Sequence, residues 1–237
     1  MGGDRGYRSL RRRRGRGRRH FPPRHRRRRP GGATPLTGPT TQDTGTARRA
    51  RAVPVTGRGG RVPLLTVGHG PDDRARLAAR LTAAGVGLLV DVRRFPGSRS
   101  NPDVRREALE EWLPAAGVGY RWDARLGGRR RLPADEPVAD GWWTVAQFAA
   151  YAAHTRTPEF AAGLDEVLDA AGTATVAVMC SESVWWRCHR RLVADVAVLA
   201  RGVPVRHLMP DGRPADHRPS EGAVLGDDGL VRWPGPP

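Results

Sequence analysis

An α/β fold is the class this sequence predicts: a mostly parallel sheet with helices on both faces, in a Rossmann-like three-layer arrangement. Three observations predict it. The strand candidates LLTV, VGLLVDV and TATVAVM are apolar on both faces, as strands buried in a parallel sheet must be. Stretches with helical spacing separate them. Polar residues gather where the apolar runs stop, which is where ligands sit in such sheets.

Each element can be read in order. Residues 62–67 form a buried strand stopped by Gly68-His69-Gly70. Pro71-Asp72-Asp73 opens a helix, since proline suits a first turn and acids suit its positive end. Leu77, Leu81 and Ala84 follow at helical spacing, and Gly85 ends the helix. Residues 86–92 are a second strand with Asp91 as its only charge. A polar loop, RRFPGSRSNP, leads into a helix over about residues 103–116 that carries Val104, Ala108, Leu109 and Trp112 on one side. Gly117 stops it, and residues 118–122 are a short third strand. Residues 125–141 read as a loop containing Arg125, Gly127-Gly128 and Arg129–Arg131. Helices are expected over 144–154 and 157–171, the second capped by Thr157 with Pro158 behind it. Residues 173–179 are a strand ending at Cys180. From Ser181–Arg187 the chain is expected to turn into a helix that runs to about Ala200. Residues 203–208 are a last strand, and residues 210–237, rich in Pro, Gly and Asp, are expected to be loosely ordered.

Charge divides the chain. The 237 residues contain 41 Lys+Arg, all of them arginine, and 24 Asp+Glu. Residues 1–61 hold 19 of the arginines and two acids, Asp4 and Asp43, so they carry the whole +17. Residues 62–237, with 22 arginines and 22 acids, are neutral. A basic nucleic-acid-binding domain is therefore excluded for the folded part. The tail has almost nothing apolar to bury and is expected to be disordered. It reads either as a polybasic arm for nucleic acid or another anionic surface, or as an extension from a start codon set too early. The α/β domain is expected over residues 62–209. No apolar run approaches the ~20 residues of a membrane span, so no membrane partner is expected. No apolar stretch follows the N-terminal arginines as a secretory signal requires. A cytoplasmic location with reduced thiols is expected, and two cysteines are too few for a disulfide scaffold.

The parallel-sheet reading brings scattered residues to one edge. His69, Asp91, Cys180 and His207 lie at strand ends, followed by Arg93, Ser98, Arg99, Asn101 and Glu182 in the loops. Cys180 is expected to leave a strand just before a helix N-terminus, where amides and the helix dipole lower a thiol from its usual ~8.5. It is the candidate nucleophile. His69 or His189 would carry the proton and Glu182 would orient. Arg93, Arg99 and Arg125 offer guanidinium forks to phosphate or carboxylate, and Arg187 adds positive charge. Trp185 and Trp186 are adjacent indoles that could pack in the core or stack on a base or ring. Cys180 and Cys188, eight apart, admit three readings: nucleophile and resolving thiol, metal ligands with His189 and His69, or unpartnered packing residues, which is preferred. Zinc sites usually show closer pairs, so no metal is expected. No P-loop or dinucleotide glycine fingerprint occurs, so no cofactor is expected either.

TVGHG (66–70), LVDVRRFPGSRSNP (89–102), LGGRR (126–130), the GWW and YA stretch (141–152), TPEF (157–160) and MCSESVWWRCHRRLVAD (179–195) together resemble the domain-of-unknown-function family number 488. The family's usual form of the last motif resembles MCAE-x-x-WWRCHRRLIAD; Ser181 replaces Ala here and Glu182 is retained. The resemblance implies an α/β cytoplasmic protein, mostly bacterial, and no established activity. The residues themselves point to an enzyme acting on an anionic ligand, derived from phosphate or nucleic acid. The alternative is a non-catalytic module that binds such a ligand and uses its cysteines structurally.

Overall fold

The runs at the centre of this sequence have no polar face to turn toward water, so they must lie between two helical layers. A computed structural model describes residues 62–132 and 139–235 and has that arrangement. The expected disordered tail, residues 1–61, lies outside the described residues.

The strands are β1 (Leu64–Gly68), β2 (Leu88–Asp91), β3 (Gly119–Trp122), β4 (Val176–Cys180), β5 (Val205–Leu208) and β6 (Pro214–Asp216), in the order β3-β2-β4-β1-β5-β6. All neighbours are parallel except β5 and β6. The helices are α1 (Arg74–Ala83), α2 (Arg106–Trp112), α3 (Ala146–His154), α4 (Pro158–Ala171) and α5 (Arg190–Leu199). Alternation within the strands divides the core. Leu64, Val90, Val176 and Val178 pack with residues of α3, α4 and α5 such as Tyr151, Leu164 and Val193. Leu65, Val67, Leu89 and Met179 pack with Leu77 and Leu81 of α1 and Leu109 and Trp112 of α2. The three layers expected from the sequence are present. No helix among the described residues is long and apolar enough to cross a membrane.

Local chemistry sets the ends. The Asp73 carboxylate accepts the Arg76 amide at 2.9 Å, and the Thr157 hydroxyl accepts the Phe160 amide at 3.2 Å, so each first turn has an acceptor for a free donor.

Three stretches differ from expectation. The single helix over 103–116 is divided into 3-10 turns at Pro102–Val104 and Pro114–Ala116 around the short α2: Arg105 takes an extended conformation before α2, and Pro114 lacks the amide that would continue the ladder after it. The helix expected soon after Cys180 begins only at Arg190. The chain leaving β4 stays beside the exit of β1, where His69 donates to the Cys180 carbonyl (3.0 Å) and Gly70 to that of Ser181 (2.9 Å). A 3-10 turn at Trp185–Arg187 follows. Residues 210–235, expected to be loosely ordered, supply β6 and a small hairpin of β7 (Val224–Leu225) and β8 (Val231–Arg232). That hairpin leads into Trp233, which is fully buried.

Gly68 shows how tightly the ends of β1 and β4 meet. A side chain there would collide with the Glu182 carbonyl and the Arg190 guanidinium. Gly68→Ala is therefore expected to lower stability by about 1–3 kcal/mol or more, since the obstacle is backbone. Urea unfolding of the variant against the parent protein checks this, and an unchanged midpoint would count against the close crossing.

Candidate functional site

The sheet register brings the residues at the carboxyl ends of β1 and β4 together, with Gly68 opposite Cys180. From β4 the chain makes a short excursion and returns at Cys188-His189, which sit immediately before α5. The His189 ring lies between the two sulfurs: its Nδ1 is 3.7 Å from Cys180 Sγ and 3.6 Å from Cys188 Sγ. All three atoms fall within 4.8 Å of one another, and both thiols are buried and free. The loop carrying LGGRR lies against this group. A Cβ on Gly128 would come 2.8 Å from His189 Nδ1, so only glycine allows the backbone this close. Tyr151 holds the same loop by donating its hydroxyl to the Leu126 carbonyl (2.6 Å), with its ring 4.9 Å from that of His189.

Arg190 organises the other side. Its side chain is buried, and among the described residues it touches no carboxylate. Nε donates to Cys188 Sγ at 3.4 Å, Nη1 to Thr66 Oγ1 at 3.4 Å and Nη2 to the Glu182 carbonyl. A buried cation without an anion is costly, so the adjacent sulfur is the natural place for negative charge. The two thiols divide accordingly. Burial opposes ionisation of Cys188, but the Cys180 thiol that donates to it, His189 and Arg190 outweigh burial and hold it well below the ordinary thiol range. Cys180 retains its proton as that donor, and burial pushes it further up. The sequence placed the lowered thiol at Cys180, on the assumption of a helix starting beside it. The helix starts one excursion later, and the stabilised sulfur is Cys188.

From Thr66 a chain of hydrogen bonds runs through the interior. Thr66 Oγ1 is 2.7 Å from His207 Nδ1, and His207 Nε2 is 3.0 Å from His217 Nδ1. His217 Nε2 is 2.8 Å from Asp195 Oδ1. Asp195 also accepts from the Ser220 amide (2.9 Å) and the Trp233 indole (3.0 Å). At the two ends, His217 Nε2 donates to the Asp195 carboxylate, and Thr66 Oγ1 accepts from Arg190, which can only donate. Trp185 covers the chain, stacked on His207 with centroids 4.3 Å apart and planes 8° apart. Thr66, Asp195 and His217 were not among the sequence candidates. Their one signal was Thr66, a lone hydroxyl in an apolar strand.

The remaining candidates fall elsewhere. Arg93 is buried and clamped on Asp91, with Nε to Oδ1 at 2.8 Å and Nη2 to Oδ2 at 2.6 Å, and Nη2 also reaches the Val104 carbonyl. Its Nη1 lies 3.4 Å from His69 Nε2. His69 Nδ1 donates to the Gly70 carbonyl (2.8 Å), and burial holds this imidazole below its usual range. Arg125 is bound to Asp123 and, through both terminal nitrogens, to Glu166. Neither arginine is free to clamp a ligand in this structure. Ser98 accepts the Asn101 amide, and Asn101 caps the turn at Pro102 while donating to the Asp72 carbonyl. These two residues shape the loop. Glu182 meets the site through its backbone, and its side chain is exposed, as are Arg99, Arg187 and Trp186.

In the comparison with protein families, residues 73–197 match the model described as Domain of unknown function DUF488. No curated protein and no solved structure matches the chain.

The buried chain sets a pH dependence. Burial, then the neighbouring His217 and Arg190, pull His207 down to about 2. An unfolded histidine titrates near ~6.5, so below that pH the unfolded state takes up the proton that the folded state refuses. Stability is fully present above about 6.5 and falls with pH, by up to about 1.4 kcal/mol per unit for this one group. Urea midpoints measured from neutral pH to about 4.5 are expected to decline, and His207→Gln is expected to make the decline shallower. Equal slopes in the two proteins would rule out His207 as the cause.

Proposed function

The chain belongs to the DUF488 family, and from the site described above we propose that it is a cysteine-dependent enzyme whose Cys188 thiolate attacks an electrophilic centre on an anionic ligand. One observation carries this reading: the buried Arg190 guanidinium touches no carboxylate among the described residues and points its Nε at the Cys188 sulfur. Such a pairing keeps a thiolate available at neutral pH, and the thiolate is the reactive form.

The other residues take roles that follow from their positions. Cys180 donates its S–H to the nucleophile. His189, whose Nδ1 faces both sulfurs, carries a proton to or from the leaving group. The exposed Arg99 and Arg187, on the loops leaving β2 and β4, draw a phosphate- or nucleic-acid-derived anion toward the edge of the sheet. His69 serves with Arg93 as a neutral wall on the β1 side. Both sulfurs are nearly covered, so the Gly128 loop or the turn at Ser181–Val184 moves aside for the ligand to reach them. A second reading, a binding module without catalysis, draws on Trp186, whose ring is 45% exposed and edge-on to Trp185.

Alkylation with iodoacetamide, mapped to each cysteine across pH, tests the proposal. Cys188 is expected to label with a midpoint clearly below the ~8.5 of a free thiol, and Cys180 to label only at higher pH. Arg190→Lys keeps the charge and loses the Nε donor, and is expected to move the Cys188 midpoint upward. An ordinary midpoint at Cys188 would defeat the nucleophile, and would leave the binding module as the better account.

A further inference from the structure

We propose that Cys180, Cys188 and His189 also form a three-ligand site for a zinc-type divalent ion. The site stands on geometry alone and does not depend on the nucleophile reading above.

A tetrahedral ion held by sulfur at about 2.3 Å and nitrogen at about 2.0–2.1 Å places each sulfur about 3.6 Å from the nitrogen. Here the two sulfurs lie 3.6 and 3.7 Å from one nitrogen, His189 Nδ1. The third edge is also short, since all three donors fall within 4.8 Å of one another. Two sulfurs and an imidazole suit zinc and its tetrahedral relatives, whereas calcium and magnesium take oxygen donors.

The surroundings fit an ion as well. Gly128 faces His189 Nδ1 where a Cβ would stand only 2.8 Å away, so this side of the donors is left without a side chain. Arg190 Nε, 3.4 Å from Cys188 Sγ, is an outer donor of the kind that orients metal-bound thiolates. The donors come from the end of β4 and the residues just before α5, so their spacing is fixed by the sheet and not by a flexible finger. This explains why a separation of eight residues, too wide for the usual zinc pairs, still brings both sulfurs to one imidazole. Binding involves no change of oxidation state. Two metal–sulfur bonds form, and whatever protons the two sulfurs still carry, the Cys180 S–H among them, pass to solvent.

The test uses the full chain, reduced and stripped with a chelator. Addition of cobalt(II) is expected to give a thiolate-to-metal band in the near ultraviolet together with tetrahedral visible bands, saturating at one equivalent and bleached by zinc. Cys180→Ser, Cys188→Ser and His189→Asn are each expected to abolish or sharply weaken the bands, with far-ultraviolet circular dichroism recording that they fold. Zinc is expected to slow Cys188 alkylation at least tenfold, and chelator to restore it. No saturable band in the wild-type protein, or the same band in folded Cys188→Ser, overturns the site. The two readings fail separately. An ordinary midpoint at Cys188 with the cobalt bands present removes the nucleophile alone. A low midpoint with no bands and no zinc protection removes the metal site alone.

Discussion

A guanidinium inside the protein with no carboxylate against it is the constraint from which the rest of the site follows. Arg190 occupies the space between the ends of β1 and β4, and each of its three nitrogens is engaged: sulfur, hydroxyl and carbonyl. The carbonyl bond fixes the turn after Cys180. The hydroxyl bond gives Thr66 an orientation that passes through both histidines to Asp195. The sulfur bond leaves Cys188 as the place where negative charge is least costly.

Much of the fold was legible because the strands are apolar on both faces and the helices are punctuated by Pro, Gly and capping residues. The boundaries that slipped did so for tertiary reasons. An extended Arg105 and Pro114 divide a helix whose apolar spacing is otherwise continuous. The turn after Cys180 is drawn to β1 by backbone hydrogen bonds that no local pattern announces. Trp233 looked like part of a tail because its acceptor, Asp195, sits in a helix far away in sequence.

The site was legible only as a region. Strand ends placed His69, Asp91, Cys180 and His207 on one edge, and the sheet order puts β2, β4, β1 and β5 side by side there. Composition could not say which arginines were already engaged. Arg93 and Arg125 read as anion clamps, yet each faces a carboxylate two residues away in sequence, Asp91 and Asp123, that the chain's turn brings into register. Nor could it say which thiol would ionise, since that depends on where α5 begins.

Trp233 ties the far end of the described fold to the Cys188 sulfur. Its indole helps hold Asp195, Asp195 meets His217, and His207, Thr66 and Arg190 complete the connection to Cys188. The closing hairpin that places Trp233 is therefore part of the surroundings of Cys188, although it lies far from it in sequence.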